Sequence, residues 1–108
     1  MDGFQVTFFT EQGRRHDRQQ VQDWLKALGK SLGISGITTT AGVEGVGRDG
    51  KLHSAHFFEL ADQPVEVTMV VTLPQCNALF ERLEQEHANL FYVKTPVQFG
   101  VVGPIGAT

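Results

Sequence analysis

Cysteine occurs once, at Cys76, which excludes an internal disulfide framework and any CxxC metal or redox motif. No apolar run approaches the roughly 18 residues that a membrane span requires. Charge of one sign is not in excess. Twelve acidic residues face nine basic ones, and a net charge of −3 over 108 residues sets up no field that would draw nucleic acid or anionic lipid. Tryptophan and tyrosine appear once each, at Trp24 and Tyr92. The opening Met1-Asp2-Gly3 lacks the basic region and long apolar run of a secretory signal, so a cytoplasmic protein is expected. What remains is 41% hydrophobic residues in a chain the size of one domain. Residues 1–108 are accordingly expected to form one domain with a frayed tail from 103 to 108.

Phe4 to Phe9 is rich in aromatic and β-branched residues and predicts a strand. Asp17 is the expected N-cap of a first helix, whose apolar stripe is Val21, Trp24, Leu25, Leu28 and Leu32. Gly33 is a natural stop. Ile37 to Glu44 alternates as a second strand, and Gly45 to Gly50 is too rich in glycine to continue it. A long loop or loose hairpin is expected from Lys51 to Pro64, then the clearest strand, Val65 to Val71. Pro74 suits a first helical turn, and Cys76, Leu79, Phe80 and Leu83 form a second stripe ending near His87. Leu90 to Val93 predicts a fourth strand, resumed from Val97 to Val102 after Pro96.

The order β-α-β-β-α-β predicts an α+β, ferredoxin-like sandwich: one antiparallel sheet with both helices on one face. Its strands read as apolar on both faces, since Val65, Val67 and Met69 share a parity that Val70 lacks, and Phe8 and Phe9 point opposite ways. An open apolar sheet face predicts cover by other copies of the chain, with Met69 among the residues turned toward them.

The stretch Gly33-Ile34-Ser35-Gly36-Ile37-Thr38, leading through a strand to Gly45-Val46-Gly47-Arg48, a loop, Pro64 and another strand, resembles the PII signalling-protein superfamily, and its divergent PII-like families most closely. The resemblance covers about residues 3 to 102. It implies a homotrimer with sheets facing a central axis and ligand pockets in the clefts between subunits. It also implies an effector loop, about residues 47–63, that docks a regulated protein, either a membrane transporter or an enzyme. Carried over residue by residue, the ligand-binding candidates are Thr38, Gly45, Gly47, Arg48, Thr68 and Val70. Glycines admit an anion to backbone N–H groups, and arginine offers a planar fork of donors.

The departures also inform. One extra residue stands between Gly33 and Gly45, consistent with a bulge. Asp49 replaces a family glutamine, and both the glycine-rich loop after the second helix and the arginine-bearing C-terminal segment of the family are missing. Only Arg48, Lys51 and Lys94 present themselves as cationic partners for phosphate. This weighs against Mg-ATP and toward AMP, ADP or another small anion as effector.

Other readings stay open. His53, His56 and Glu59 are spaced as a divalent-metal set would be on a helix, as a CutA-like trimer would require, or are loop residues. Ser54 is the only hydroxyl between Arg48 and Pro64, hence the candidate for covalent modification of the loop. Arg14, Arg15, His16 and Arg18 read as a solvated helix start or an anion site between subunits. No nucleophile elbow, phosphate-binding P-loop or paired-carboxylate motif appears, so no catalytic residue is assigned. The enzymatic alternative is a dimeric α+β barrel monooxygenase using His16 and Trp24 in a sheet-lined pocket.

Overall fold

The computed structural model describes residues 1–42, 44–46, 52–54 and 62–104. Four strands form the main sheet: β1 (Asp2–Glu11), β4 (Gly36–Ala41), β7 (Pro64–Thr72) and β8 (Phe91–Gln98). Two helices, α1 (Val21–Ser31) and α2 (Leu73–Gln85), complete the α+β sandwich. The remaining strands are short: β2 (Arg15–His16) pairs with β3 (Gln19–Gln20), and β5 (Glu44–Val46) pairs with β6 (Leu52–Ser54). The main sheet runs β4-β7-β1-β8 and is antiparallel throughout. Each β-α-β unit is therefore split: β1 and β4 run parallel with β7 between them, and β7 and β8 run parallel with β1 between them.

The core follows from strand parity. Val6 and Phe8 of β1 and Val65, Val67, Met69 and Val71 of β7 turn toward the helices. There they meet Trp24, Leu25 and Leu28 of α1 and Cys76, Leu79 and Leu83 of α2. Each large side chain among these contributes roughly 1.5–3 kcal/mol by leaving water. Gly29 lets α1 lie close to the sheet, because a Cβ there would stand 2.7 Å from Ile37 Cδ1. Met69 is 0% exposed on this helix side. The expectation that it faces other copies is thus corrected; Val70 takes the opposite face.

Both helix ends are built from local chemistry. Gly33 (φ +79°) closes α1, with Ile34 N–H donating to Gly29 O and Gly33 N–H to Lys30 O. Thr72 caps α2: its hydroxyl accepts from Gln75 N–H, and the Gln75 side chain accepts from Thr72 N–H.

Three boundaries differ from expectation. Asp17 is not an N-cap. It and Arg18 (φ 48° and 70°) form the two-residue turn of the β2–β3 hairpin, and the helix starts four residues later, capped by Gln20 without a side-chain bond. The second strand stops at Ala41, and Glu44–Val46 pairs instead with Leu52–Ser54, so the glycine-rich stretch begins in a short ribbon; most of the expected loop or hairpin from Lys51 to Pro64 lies outside the described residues. Finally, β8 runs unbroken through Pro96, which an edge strand tolerates because alternate N–H groups there face away from the sheet. Among the described residues no helix is long and apolar enough to cross a membrane.

Candidate functional site

The sheet face opposite the helices carries a row of hydroxyls. Thr38 of β4 pairs with Thr68 of β7, Thr68 with Thr7 of β1, and Thr7 with Val93 of β8. Thr7 Oγ1 and Thr68 Oγ1 lie 3.0 Å apart, a hydrogen bond across two strands. In the next row Val70 stands between Gly36 and Gln5, and Gln5 pairs with Thr95. Further along, Phe9 and Phe91 pack with ring centroids 5.6 Å apart beside Glu66. The face is therefore mixed, with hydroxyl and amide groups at its centre and apolar groups around them. The wholly apolar open face read from the strands is corrected, because every second residue of β7 on that side alternates charge, hydroxyl and aliphatic: Glu66, Thr68, Val70.

Three of the six candidate ligand residues, Thr38, Thr68 and Val70, thus share one face on neighbouring strands. Gly45 lies apart from them, in the β5–β6 ribbon opposite His53. Gly47 and Arg48 fall outside the described residues, as do Lys51, His56, Glu59 and most of the expected effector loop. The stem of that loop is closed by backbone bonds: Gly42 N–H donates to Pro64 O at 2.8 Å and Gln12 N–H to Gln63 O at 2.9 Å. The Gln63 side-chain amide also donates to Gly42 O at 3.3 Å.

Neutral hydroxyls can orient a ribose or a base edge but cannot neutralise phosphate. Lys94 does not supply the charge on this face. It pairs with Val6, a helix-side residue, and its Nζ lies over the rings of Phe4 and Phe80, 4.9 and 5.6 Å from their centroids. Any cation for an anionic ligand at the Thr38–Thr68 row must come from elsewhere.

The basic run Arg14, Arg15, His16 and Arg18 leads to a second group of polar side chains, whose acidic members Asp17 and Glu86 were not anticipated. His16, at the end of β2, places Nε2 3.6 Å from Asp17 Oδ2 and 3.4 Å from Glu86 Oε1 at the C-cap of α2. The imidazole packs on Trp24 with ring centroids 4.0 Å apart. Arg14 fastens the same two segments together, its guanidinium donating to Ala88 O at 2.7 Å and Asn89 O at 2.9 Å. His16 and Trp24 do meet, then, but at the β2–β3 hairpin and outside the four-stranded sheet, which differs from the sheet-lined pocket a monooxygenase would need. The only sequence signal for this group was the basic run around it; a contact across 70 residues leaves no local pattern.

Comparison with known proteins follows the same lines. The DUF190 family, described as "Uncharacterized ACR", has a model that matches residues 3–99. No curated protein matches the chain. Solved structures do match. CPII of Thiomonas intermedia K12, a nitrogen regulatory PII-like protein bound to ADP, AMP and bicarbonate, is 15% identical. The alignment covers 90% of this chain and 89% of that one with a TM-score of 0.62. A putative PII-like signaling protein from Thermus thermophilus is 16% identical over 89% of this chain and 85% of its own, with a TM-score of 0.60. The apo form of CPII is 13% identical and covers 90% of this chain and 92% of its own, with a TM-score of 0.55.

Proposed function

As a member of the DUF190 family with the fold of PII-like proteins, the chain is, we propose, a PII-like signalling protein that binds a small anionic effector and regulates a partner protein. The observation that carries this reading is the likeness, over nine-tenths of both chains, to a protein bound to ADP, AMP and bicarbonate. The helix-free sheet face supports a homotrimer with those faces turned inward, since the apolar side chains Phe91 and Val93 on it are half exposed in the single chain. The effector site lies in the clefts between subunits. Thr38, Thr68 and Val70 border the base and ribose, and Gly45, Gly47 and Arg48 at the stem of the loop receive the anion.

The hydroxyl row brings no positive charge, so Arg48 carries most of the recognition. AMP or ADP suits that balance better than Mg-ATP. Occupancy at the stem biases the conformation of the loop over residues 47–63, and a regulated membrane transporter or enzyme in the cytoplasm binds only some of those conformations. In this reading the protein transmits a signal and catalyses no reaction.

Thermal unfolding with AMP, ADP, ATP with and without Mg²⁺, and bicarbonate tests the proposal. A true effector at 100 times its dissociation constant adds about 2.7 kcal/mol to the folded state. Arg48→Ala should weaken that effector at least tenfold while light scattering still reports a trimer. No shift with any of these compounds would remove the sensor reading, and unchanged affinity in the variant would place the site elsewhere.

A further inference from the structure

We propose that His16, Asp17 and Glu86 form a binding site for a divalent transition-metal ion of the zinc class, independent of the effector site and of the reading given for it. One ligand atom from each residue lies within 4.8 Å of the other two. The two gaps from His16 Nε2, 3.6 Å to Asp17 and 3.4 Å to Glu86, are near the spacing of a tetrahedral shell, and the third, between the carboxylates, is no more than 4.8 Å. Zinc bonded at about 2.0–2.1 Å to nitrogen and oxygen holds neighbouring ligands roughly 3.3 Å apart. An ion among the three would draw the ligand atoms together, which the exposed Asp17 carboxylate is free to do, and a fourth position remains for water or an exogenous ligand.

The charges favour a cation. Two carboxylates converge on one imidazole, and among the described residues neither carboxylate has a lysine or arginine nitrogen within 4.0 Å. Two of the neighbouring arginines are committed to carbonyls, Arg14 to Ala88 and Asn89 and Arg15 to Arg18, and neither Arg18 nor Arg82 makes an ion pair with the two carboxylates. The ligands are also held in place. His16 rests on Trp24, itself in the core, and Glu86 caps α2, while the two-residue turn of the hairpin sets the backbone of Asp17 and leaves its side chain exposed. An imidazole with two carboxylates suits zinc, manganese or iron better than calcium or magnesium, which prefer all-oxygen shells. A bound ion would tie the hairpin to the loop between α2 and β8, the same two segments that Arg14 already joins.

The test is calorimetric titration of the chelator-treated full chain with Zn²⁺, repeated with Mg²⁺ and Ca²⁺. One Zn²⁺ per chain is expected, with at least about a tenfold loss of affinity in His16→Ala and in Glu86→Gln, since even outer partners of a metal typically cost tenfold or more. His87→Asn and the double change His53→Ala with His56→Ala should bind zinc as the wild type does. Co²⁺ offers a local readout: bound at His16, it quenches the fluorescence of Trp24, the only tryptophan. If His16→Ala fails to fold by circular dichroism, Glu86→Gln decides alone, because its side chain keeps the same shape. Three results overturn the proposal: no uptake at millimolar zinc, which leaves a simple ion-pair cluster; zinc binding retained in the His16 and Glu86 variants but lost in the His53/His56 variant; or equal affinity for Mg²⁺ or Ca²⁺.

Discussion

Single residues in this protein are governed by which side of the sheet or helix they occupy. Cys76 lies on the core face of α2, and burial pushes its thiol above the ordinary value of 9.0, partly offset by the positive charge of Lys94. The folded state thus holds the thiol proton more tightly than the unfolded chain does. The sign follows: stability is unaffected below the ordinary thiol range and falls as pH rises above about 9, where the unfolded thiol ionises first. A thiol reagent such as DTNB should leave the native protein unlabelled at pH 7.5 and react fully after denaturation. In Cys76→Ala the alkaline loss contributed by this thiol should be absent from a pH series of urea midpoints. Met69 and Val70 make the same point about sides. Alternation in the sequence separates their faces but cannot say which of them the helices cover; that depends on the hand of two crossovers.

At the level of elements, periodicity made the long ones legible. The apolar stripes of α1 and α2 and the alternation of β1 and β7 are each sustained over two turns or more of pattern. The β2–β3 hairpin was not legible, because its turn uses Asp17-Arg18 with no glycine, and the basic run around it reads as a helix start. Pro96 misled for a related reason: the sequence does not reveal that its strand is an edge. Of the candidate site, Thr38, Thr68 and Val70 could be grouped from the sequence by resemblance and strand parity. The His16–Glu86 contact could not, since its partners are 70 residues apart. The ends of α2 supply a prediction at this scale. Thr72→Ala removes one half of the capping box and should cost about 1 kcal/mol in chemical denaturation. At the other end His87 (φ +53°) occupies the left-handed position where a glycine would normally sit, with Ala88 N–H donating to Leu83 O across it. His87→Gly should therefore raise stability, by roughly 0.5–1 kcal/mol, seen as a higher urea midpoint with an unchanged m-value.

For the whole molecule, the two faces of the sheet are expected to answer substitution differently. Val93 lies on the helix-free face and is 48% exposed, so Val93→Asp should leave the fold of each chain intact by circular dichroism while light scattering reports a monomer in place of the proposed trimer. Met69→Ala on the other face should cost about 2–5 kcal/mol of chain stability, because it opens a cavity beneath α1. A Val93→Asp protein that remains trimeric would show that the assembly does not use this face. The split topology has a further consequence, for the order in which the molecule can come into being. Thr7 and Thr68, bonded partners in adjacent central strands, are separated by 61 positions, and β1 does not pair with β4 because β7 stands between them. As the nascent chain leaves the ribosome, its first two long strands and α1 emerge with no sheet to join. Folding must wait for loop closure across more than half the chain, which places this protein among the slower small folders. Until the segment from Pro64 to Thr72 arrives, Val6, Phe8, Trp24 and Leu25 lack the central strand that completes their core, and the early chain is at its most vulnerable to aggregation and proteolysis.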